Sequence, residues 1–188
     1  TEETKSLIGP TTKLRWSYAA SKMIDEFIAL SLYEEKKVSP IIVRLFNIIG
    51  PNQLSKFGMV VPRFIEAAIN DEDILIHGDG SQSRSFTWVD DVVTYLIKLA
   101  ELKAYGEIFN IGQTEEITIK ELAELIIEKS NSNSKIIYKS HEEVFGKSFE
   151  DPNRRTPGIE KIVEFTGIKP SKNIEFMVEN IINYKQNN

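Results

Sequence analysis

The chain has 188 residues, of which 41% are apolar and 27% charged, and its formal net charge is −5. This composition is typical of a folded globular protein and excludes a disordered or fibrous chain. The negative charge argues against a general nucleic-acid-binding protein, which needs a basic surface to displace counterions. Cysteine is absent and only two histidines occur, so disulfides and thiolate metal sites are excluded and no metal site is expected.

The longest nearly apolar stretch runs from Ile41 to Ile49 and is interrupted by Arg44 and Asn47. A membrane helix needs about 18 such residues, so none is predicted. The first residues show no signal-peptide pattern either. We therefore expect a cytoplasmic protein whose partners include neither nucleic acid nor a membrane.

Helical and strand-like patterns alternate along the chain. Apolar residues at helical spacing predict a first helix over residues 16–36, and the β-branched run at 41–46 predicts a strand buried on both faces. Further predictions are a helix at 59–70, a strand at 73–77, an extended segment at 84–88, a helix from 91 to 103 capped by Asp90, a strand at 107–111, a helix opened by a Thr118/Glu121 capping box, and helices at 158–166 and 173–185. This succession indicates an α/β fold.

A dinucleotide-binding loop would be a Gly-rich turn that precedes a helix N-terminus, where the pyrophosphate binds. The nearest match among the ten glycines is residues 78–83, where Ser83 stands at the third glycine position. The residues that follow, 84–88, predict an extended segment and not a helix. We therefore reject this site, and we expect any loop that binds a dinucleotide to lie outside this chain.

The first predicted helix carries a Y-x-x-x-K pattern at Tyr18 and Lys22. Residues four apart share one helix face, so a phenol and an ammonium lie side by side. Because a nearby cation lowers the pKa of a phenol, the pair is a candidate general acid/base for the proton of an alcohol. The same pattern occurs at Tyr33 and Lys37, where neighbouring glutamates indicate a solvated helix end. The residues around Tyr18 are small and allow a ligand to approach.

Further segments follow the Y-x-x-x-K pair in order: residues 44–51, 58–65, 78–86, 89–91, 109–112 and 151–157. This series resembles the extended short-chain dehydrogenase/reductase family, and most closely its NAD-dependent nucleotide-sugar epimerases, dehydratases and decarboxylases. The resemblance runs from about Trp16 to the C-terminus. It covers only the C-terminal portion of such an enzyme, because the family's Gly-rich NAD loop and catalytic serine or threonine lie upstream.

The resemblance implies a role for each matching residue. Tyr18 would be the catalytic base that removes a sugar hydroxyl proton while hydride passes to NAD, and Lys22 would bind the nicotinamide ribose and lower the pKa of the tyrosine. The backbone of Leu45 and Phe46 would lie near the nicotinamide. The substrate-binding residues would be Asn47, Arg84 and Arg155 on the diphosphate, Val60 in the nucleotide pocket, and His77 near the base or ribose. For His77, surface packing is the alternative.

The arginines can also be interpreted from their own surroundings. A diphosphate needs concentrated donors in an acidic chain, and a bidentate guanidinium suits phosphate. Arg84 follows a glycine turn, and Arg154 and Arg155 stand close to Pro157, so all three are expected in loops, where binding residues concentrate. A solvated basic pair is the alternative for Arg154 and Arg155. Arg44 lies inside an apolar strand and is predicted to form a structural ion pair.

The fold that the resemblance implies is α/β, with the C-terminal part of a doubly wound Rossmann-type sheet and a small α/β substrate-binding lobe. Residues 14–46 and 89–112 would belong to the dinucleotide-binding domain. Residues 47–88 and 113–188 would build the lobe. Because the first strands of such a sheet are absent, we expect an unpaired sheet edge and an exposed apolar face.

The activity implied is that of an NAD-dependent 4-epimerase acting on a UDP-sugar through a 4-keto intermediate. UDP-glucuronate decarboxylation and nucleotide-sugar 4,6-dehydration stay open, as does a non-catalytic sugar-nucleotide-binding or dimerisation module. The chain by itself is expected to be inactive, since the main NAD loop is not in it. Its expected protein partner is a second copy, through the helices at 16–36 and 89–103, or an N-terminal half.

Overall fold

The computed structural model describes residues 1–57, 59–140, 143 and 154–187. Two parts of the motif series, Gly58 and residues 151–153, lie outside the described residues. The fold is α/β, as predicted, with helices and strands alternating along most of the chain. No helix among the described residues is long and apolar enough to cross a membrane.

The helices are α1 (Arg15–Glu34), α2 (Val60–Ile69), α3 (Val89–Glu101), α4 (Ile119–Ser130), α5 (Glu160–Thr166) and α6 (Ile174–Gln186), with a 3₁₀ turn at Ser55–Phe57. The strands are β1 (Ile42–Leu45), β2 (Ile48–Ile49), β3 (Ile74–His77), β4 (Ser83–Ser85), β5 (Thr87–Trp88), β6 (Ile108–Ile111), β7 (Glu116–Thr118), β8 (Ile136–Lys139) and β9 (Arg154–Arg155). In the described residues β1–β6, β2–β5 and β3–β8 pair in parallel, and β4 lies between antiparallel β7 and parallel β9.

The β1–β6 pair shares one hydrophobic core with α3 and α5. Its fully buried side chains include Tyr95, Leu99, Phe109, Ile111 and Ile162. The Tyr95 hydroxyl donates to the Ile168 carbonyl at 3.0 Å, so its polar atom is satisfied inside the core. Burial raises the pKa of Tyr95 to about 12.

The sequence predicts that β1 is buried on both faces, but the strand is partly exposed in the structure. Its first three residues are partly buried and Leu45 is 47% exposed. Within the described residues β1 pairs only with β6, so its second edge has no strand beside it. A parallel strand is enclosed when its neighbours and the crossover helices cover it. The exposure of β1 follows from this single neighbour.

A second hydrophobic core lies between α2, α4, α6 and β3. Phe64, Ile65, Ile126 and Val178 are buried in it. Trp88 joins it through an edge-to-face contact with the Phe176 ring, at 5.7 Å between centroids. The division of the chain into a dinucleotide-binding part and a lobe stays a prediction. One helix of the range assigned to the lobe, α5, packs in the first core with α3 and β6.

Two predictions at helix ends met different outcomes. The capping box of α4 is confirmed: the Thr118 hydroxyl accepts from Glu121 N at 3.1 Å, and the Glu121 carboxylate accepts from Thr118 N at 2.9 Å. The prediction that Asp90 caps the third helix is wrong. That helix begins at Val89, so Asp90 lies in its first turn, where its carboxylate accepts from the indole N–H of Trp88 at 2.9 Å.

Candidate functional site

Tyr18 and Lys22 lie one turn apart on α1, as their spacing predicts, and both side chains are exposed. Tyr18 is 71% exposed. The Lys22 ammonium donates to Asp25 Oδ2 at 2.8 Å. This hydrogen bond and the charge of Asp25 raise the pKa of Lys22, and Tyr18 acts in the same direction. A ligand can therefore reach a phenol that has a permanently charged ammonium on the same helix face.

The second Y-x-x-x-K match does not form such a pair. α1 ends at Glu34, and Lys36 has a left-handed conformation with φ of 58°, so Lys37 does not share a helix face with Tyr33. The Tyr33 ring covers Gly106 so closely that a Cβ at this glycine would overlap the ring. Tyr33 is a packing residue, and only the first match has two members on one helix face.

The two residues after β1 are tied to β4 and β5. Asn47 has a φ of 36°, and its Nδ2 donates to the Ser85 carbonyl at 2.8 Å. Thr87 Oγ1 donates to the Phe46 carbonyl at 2.8 Å. A side-chain amide carries two N–H groups, so the contact with Ser85 leaves one for the ligand that the resemblance implies at Asn47.

The carboxyl ends of β1 and β6 also meet the segment that follows β9. A Cβ on Gly112, directly after β6, would lie 3.1 Å from Phe46 Cβ and would overlap the Pro157 ring. Glycine at this position therefore allows Pro157 to lie against the end of the strand pair. Ligands of open parallel sheets bind outside the carboxyl ends of the strands. The exposed side chain of Leu45 lies at this end.

Arg84 and Arg155, far apart in sequence, are direct neighbours in the structure. The prediction that Arg84, Arg154 and Arg155 lie in loops is wrong, because they belong to the short strands β4 and β9. These strands pair in parallel, with Arg84 opposite Arg155 and Ser83 opposite Arg154. Because strand side chains alternate between faces, Arg84 and Arg155 share one face of this sheet. Arg84 is buried, at 9% exposure, and its Nη1 donates to the Ser83 carbonyl at 2.7 Å, whereas Arg155 is exposed. Two guanidinium groups on one face suit a diphosphate.

Arg154, which is adjacent to Arg155, forms an ion pair with Glu116. Its Nε donates to both carboxylate oxygens of Glu116, at 2.9 and 3.0 Å, and its Nη2 donates to Oε1 at 2.6 Å. The Ser83 hydroxyl donates to the same carboxylate at 2.8 Å. The hydrogen bonds from Arg154 and then Ser83 lower the pKa of Glu116 to about 2. We name this group the β7–β9 clasp; no sequence pattern predicts it.

Val60 and His77 both lie in the part of the chain assigned to the lobe. Val60 is the first residue of α2 and is partly buried; His77 is the last residue of β3. Arg63, which follows Val60 by one helical turn on α2, is not among the site residues that the sequence predicts. Its Nη2 donates to the Leu75 carbonyl at 3.2 Å, and its Nη1 lies 3.5 Å from His77 Nε2. Burial lowers the pKa of Arg63.

The structural ion pair predicted for Arg44 is confirmed. The Arg44 Nε and Nη2 donate to the two carboxylate oxygens of Glu26 at 2.8 and 2.7 Å, which joins β1 to α1. Both side chains are partly buried, at 30% and 21% exposure. The hydrogen bonds that Arg44 donates to Glu26 raise the pKa of Arg44. This arginine therefore has a partner inside the fold.

The structure brings the predicted residues together in three groups. Tyr18 and Lys22 share a face of α1, and Arg84 and Arg155 are opposite each other on β4 and β9. Asn47 reaches the second of these groups through the Ser85 carbonyl, next to Arg84. Val60 and His77 lie on α2 and β3. In the described residues no hydrogen bond or ion pair joins the α1 pair to the arginines. Within the same residues, no three acidic or histidine side chains are grouped as a metal site would require.

Comparison with characterised sequences gives relatives that act on nucleotide sugars. The chain is 39% identical over 171 residues to a UDP-N-acetyl-alpha-D-glucosaminuronate decarboxylase of Bacillus cytotoxicus, covering 90% of the chain and 53% of the relative. It is 34% identical over 157 residues to UDP-glucuronic acid decarboxylase 4 of Arabidopsis thaliana, covering 84% of the chain and 34% of the relative. The chain thus spans about half or less of the length of these relatives.

Solved structures show the same architecture. A UDP-N-acetylglucosamine 4-epimerase of Methanobrevibacter ruminantium M1, solved with UDP-N-acetylmuramic acid, is 28% identical with a TM-score of 0.79, over 90% of this chain and 53% of that one. A dTDP-glucose 4,6-dehydratase of Bacillus anthracis str. Ames, solved with NAD, has a TM-score of 0.85 at 23% identity over 100% of this chain and 56% of that one. The latter likeness shows the fold alone.

The parallel strand pairs, the flanking helices and the Tyr18/Lys22 pair define part of a Rossmann-type α/β protein of the extended short-chain dehydrogenase/reductase class. The model of the NAD dependent epimerase/dehydratase family matches residues 1–112, more than half of the chain. The chain belongs to this family.

Proposed function

We propose that this chain supplies the acid–base pair and the diphosphate site of an NAD-dependent enzyme that acts on a UDP-sugar. The observation that carries the proposal is the register of β4 and β9, which sets Arg84 beside Arg155 on one sheet face. Relatives named for UDP-linked substrates support a nucleotide diphosphate as the ligand of these arginines.

NAD is the cofactor that this chemistry requires, and the residues present fit part of it. Tyr18 and Lys22 are exposed on one helix face, and Leu45 offers an exposed apolar side chain at the carboxyl end of β1. These residues would contact the nicotinamide half, with Phe46 beside Leu45. When bound, NAD accepts a hydride from the substrate and returns it. The Gly-rich loop for its pyrophosphate would come from an N-terminal half.

The chain's own residues then have separate tasks. Tyr18 takes the proton of the sugar 4-hydroxyl as general base, and the positive charge of Lys22 favours the phenolate that this requires. Arg84 and Arg155 hold the diphosphate, and the remaining N–H of Asn47 adds a donor. Val60 and His77 would contact the nucleoside portion. The diphosphate contacts fix the position of the sugar relative to Tyr18.

Two outcomes of 4-oxidation remain candidates. Decarboxylation is favoured by the relatives at 39% and 34% identity, which are named as decarboxylases of UDP-linked uronic acids. The 4-epimerisation that sequence analysis puts first is favoured by the likeness to the 4-epimerase of Methanobrevibacter ruminantium. Both outcomes need the same 4-keto sugar, and 4,6-dehydration shares it. Decarboxylation removes the carboxyl group of the sugar, whereas 4-epimerisation keeps it.

Binding of UDP to the chain tests the diphosphate site. Titration calorimetry is expected to show UDP binding that weakens about tenfold or more in Arg84→Gln and in Arg155→Gln, since each variant loses charge-assisted hydrogen bonds. Lys98→Gln, which removes one cation from α3, is the matched control and is expected to leave the affinity unchanged. Equal affinities in all four proteins would contradict the proposal.

Product analysis tests the reaction. The chain would be joined to the N-terminal half of the Bacillus cytotoxicus relative and supplied with NAD and UDP-glucuronate. Release of carbon dioxide with a UDP-pentose product indicates the decarboxylase, and a UDP-hexuronate epimer indicates the 4-epimerase. UDP binding without any product would instead favour the non-catalytic binding module.

A further inference from the structure

β9 is held by very little backbone pairing. It has only two residues, and its pairing with β4 consists of Ser83 opposite Arg154 and Arg84 opposite Arg155. A strand this short provides few ladder hydrogen bonds to fix its register or its distance from β4. The position of Arg155 therefore depends on other contacts of the same strand.

The β7–β9 clasp is such a contact. Arg154 from β9 reaches over β4 to Glu116 on β7, with donor–acceptor distances of 2.6 to 3.0 Å. Ser83, on the middle strand, donates to the same carboxylate at 2.8 Å. All three strands of this small sheet are thus joined through one carboxylate, on the face opposite to Arg84 and Arg155.

The clasp is better suited to fixing the orientation of β9 than to increasing the stability of the fold. Arg154 is 72% exposed and Glu116 is 23% exposed. Exposed ion pairs contribute little to global stability. A forked guanidinium–carboxylate contact does, however, fix orientation, because its hydrogen bonds restrict both planes.

We propose that Glu116 and Arg154 are positioning residues for the diphosphate site: their ion pair holds β9 so that Arg155 stays beside Arg84. This inference rests on the proposed function of the two arginines. Neither positioning residue touches the ligand in this scheme. Their effect on binding passes through the place of Arg155.

Because Glu116 is negatively charged, a direct electrostatic effect and a positioning effect of this residue change UDP affinity in opposite directions. Removing an acidic group near a diphosphate site strengthens anion binding if the group acts only through its field. Loss of the clasp weakens it, because Arg155 is no longer held. Glu116→Gln keeps the size of the side chain, and Glu115→Gln removes the same charge from the neighbouring exposed residue, outside the clasp, as a matched control.

The test measures the affinity of the whole chain and of its variants for UDP. We expect Glu116→Gln to weaken binding about three- to tenfold, a coupling typical of contacting residues, while Glu115→Gln leaves it equal or slightly tighter. The exchanged pair Glu116→Arg with Arg154→Glu is expected to recover at least half of the loss in free energy. Ser83→Ala, which removes one hydrogen bond and no charge, is expected to give a smaller loss.

The outcomes separate the two proposals. If Arg84→Gln and Arg155→Gln lose UDP but Glu116→Gln binds as tightly as Glu115→Gln, the diphosphate site stands and the positioning role is overturned. If the arginine variants bind UDP like the wild type, the proposed function fails and the positioning role with it. Should Glu116→Gln not fold, the same inference is decided by Arg154→Gln, which breaks the ion pair from the other side; a UDP affinity equal to that of the wild type would overturn it.

Discussion

At the scale of single residues, Arg154 and Arg155 are adjacent in sequence but lie on opposite faces of the small sheet. Arg154 binds Glu116 across the intervening strand β4, and Arg155 is the register partner of Arg84. The same contrast separates the two tyrosines of α1. Tyr18 is exposed with Lys22 on its face, whereas the Tyr33 ring covers a glycine. Surroundings, and not residue type, distinguish the members of each pair.

The tyrosines of α1 provide a matched test of general base catalysis. In the chain joined to the N-terminal half of the Bacillus cytotoxicus relative, Tyr18→Phe is expected to lower turnover about 10²- to 10⁴-fold, because phenylalanine cannot accept the proton. Tyr33→Phe keeps the ring that packs on Gly106 and is expected to leave turnover near the wild-type value. Equal turnover of both variants would remove Tyr18 from the catalytic role.

The carboxyl group of Glu116 is expected to titrate far below its ordinary range. Its pKa is about 2 in the folded chain against an ordinary value of 4.5, because Arg154 and Ser83 donate to the ionised form. The contribution of this carboxylate to stability is complete above about pH 4.5 and is lost as the pH falls towards 2. A carbon-13 NMR titration is expected to show the low midpoint, and Arg154→Gln should move it upward. An unmoved midpoint would contradict the assigned cause.

At the scale of elements, the candidate site depends on where short strands end. The carboxyl ends of β1 and β6 meet the segment after β9 because Gly112 has no side chain. The ion pair of Arg44 with Glu26 joins α1, which carries Tyr18, to β1. Helix α1 and the segment after β9 are thus both linked to the β1–β6 pair by specific contacts.

Gly112→Ala is expected to disturb the segment that carries Arg155. The added methyl group would overlap the Pro157 ring and press on Phe46, which costs about 1–3 kcal/mol of the free energy of unfolding. UDP affinity is expected to fall in parallel. Gly158→Ala, in the same segment, meets mainly the movable carboxylate of Glu160 at 2.9 Å and is the control with the smaller effect. Chemical denaturation and calorimetry check both; equal losses would refute the packing argument.

At the scale of the whole molecule, apolar side chains of two helices face solvent. On α1 and α3 the exposed large apolar residues include Ile24, Phe27, Ile28, Val93, Leu96 and Ile97. On each helix these side chains are three and four residues apart and so share one face, and a contiguous exposed apolar patch usually marks an interaction site. Homodimerisation through these two helices, predicted from the sequence, remains a proposal that this surface supports.

Phe27→Asp tests that proposal, since a charge cannot be buried in an apolar interface without a partner. Size-exclusion chromatography with light scattering is expected to show a dimer for the wild type and a monomer for the variant. Leu54→Asp places the same charge at another exposed apolar side chain, outside both helices, and should stay dimeric. A monomeric wild type, or a dimer that only Leu54→Asp disrupts, would refute the proposed interface.

Local pattern alone determined the α/β class, the course of the helices and the pairing of Tyr18 with Lys22 on one face. These features depend on residues a few positions apart, whose spacing sets which side chains share a face. Only the tertiary structure decided that Arg84 stands opposite Arg155, that Arg154 binds Glu116, and that Asn47 donates to Ser85. Such contacts depend on strand register between distant segments, and a shift of one residue would turn each side chain to the other face.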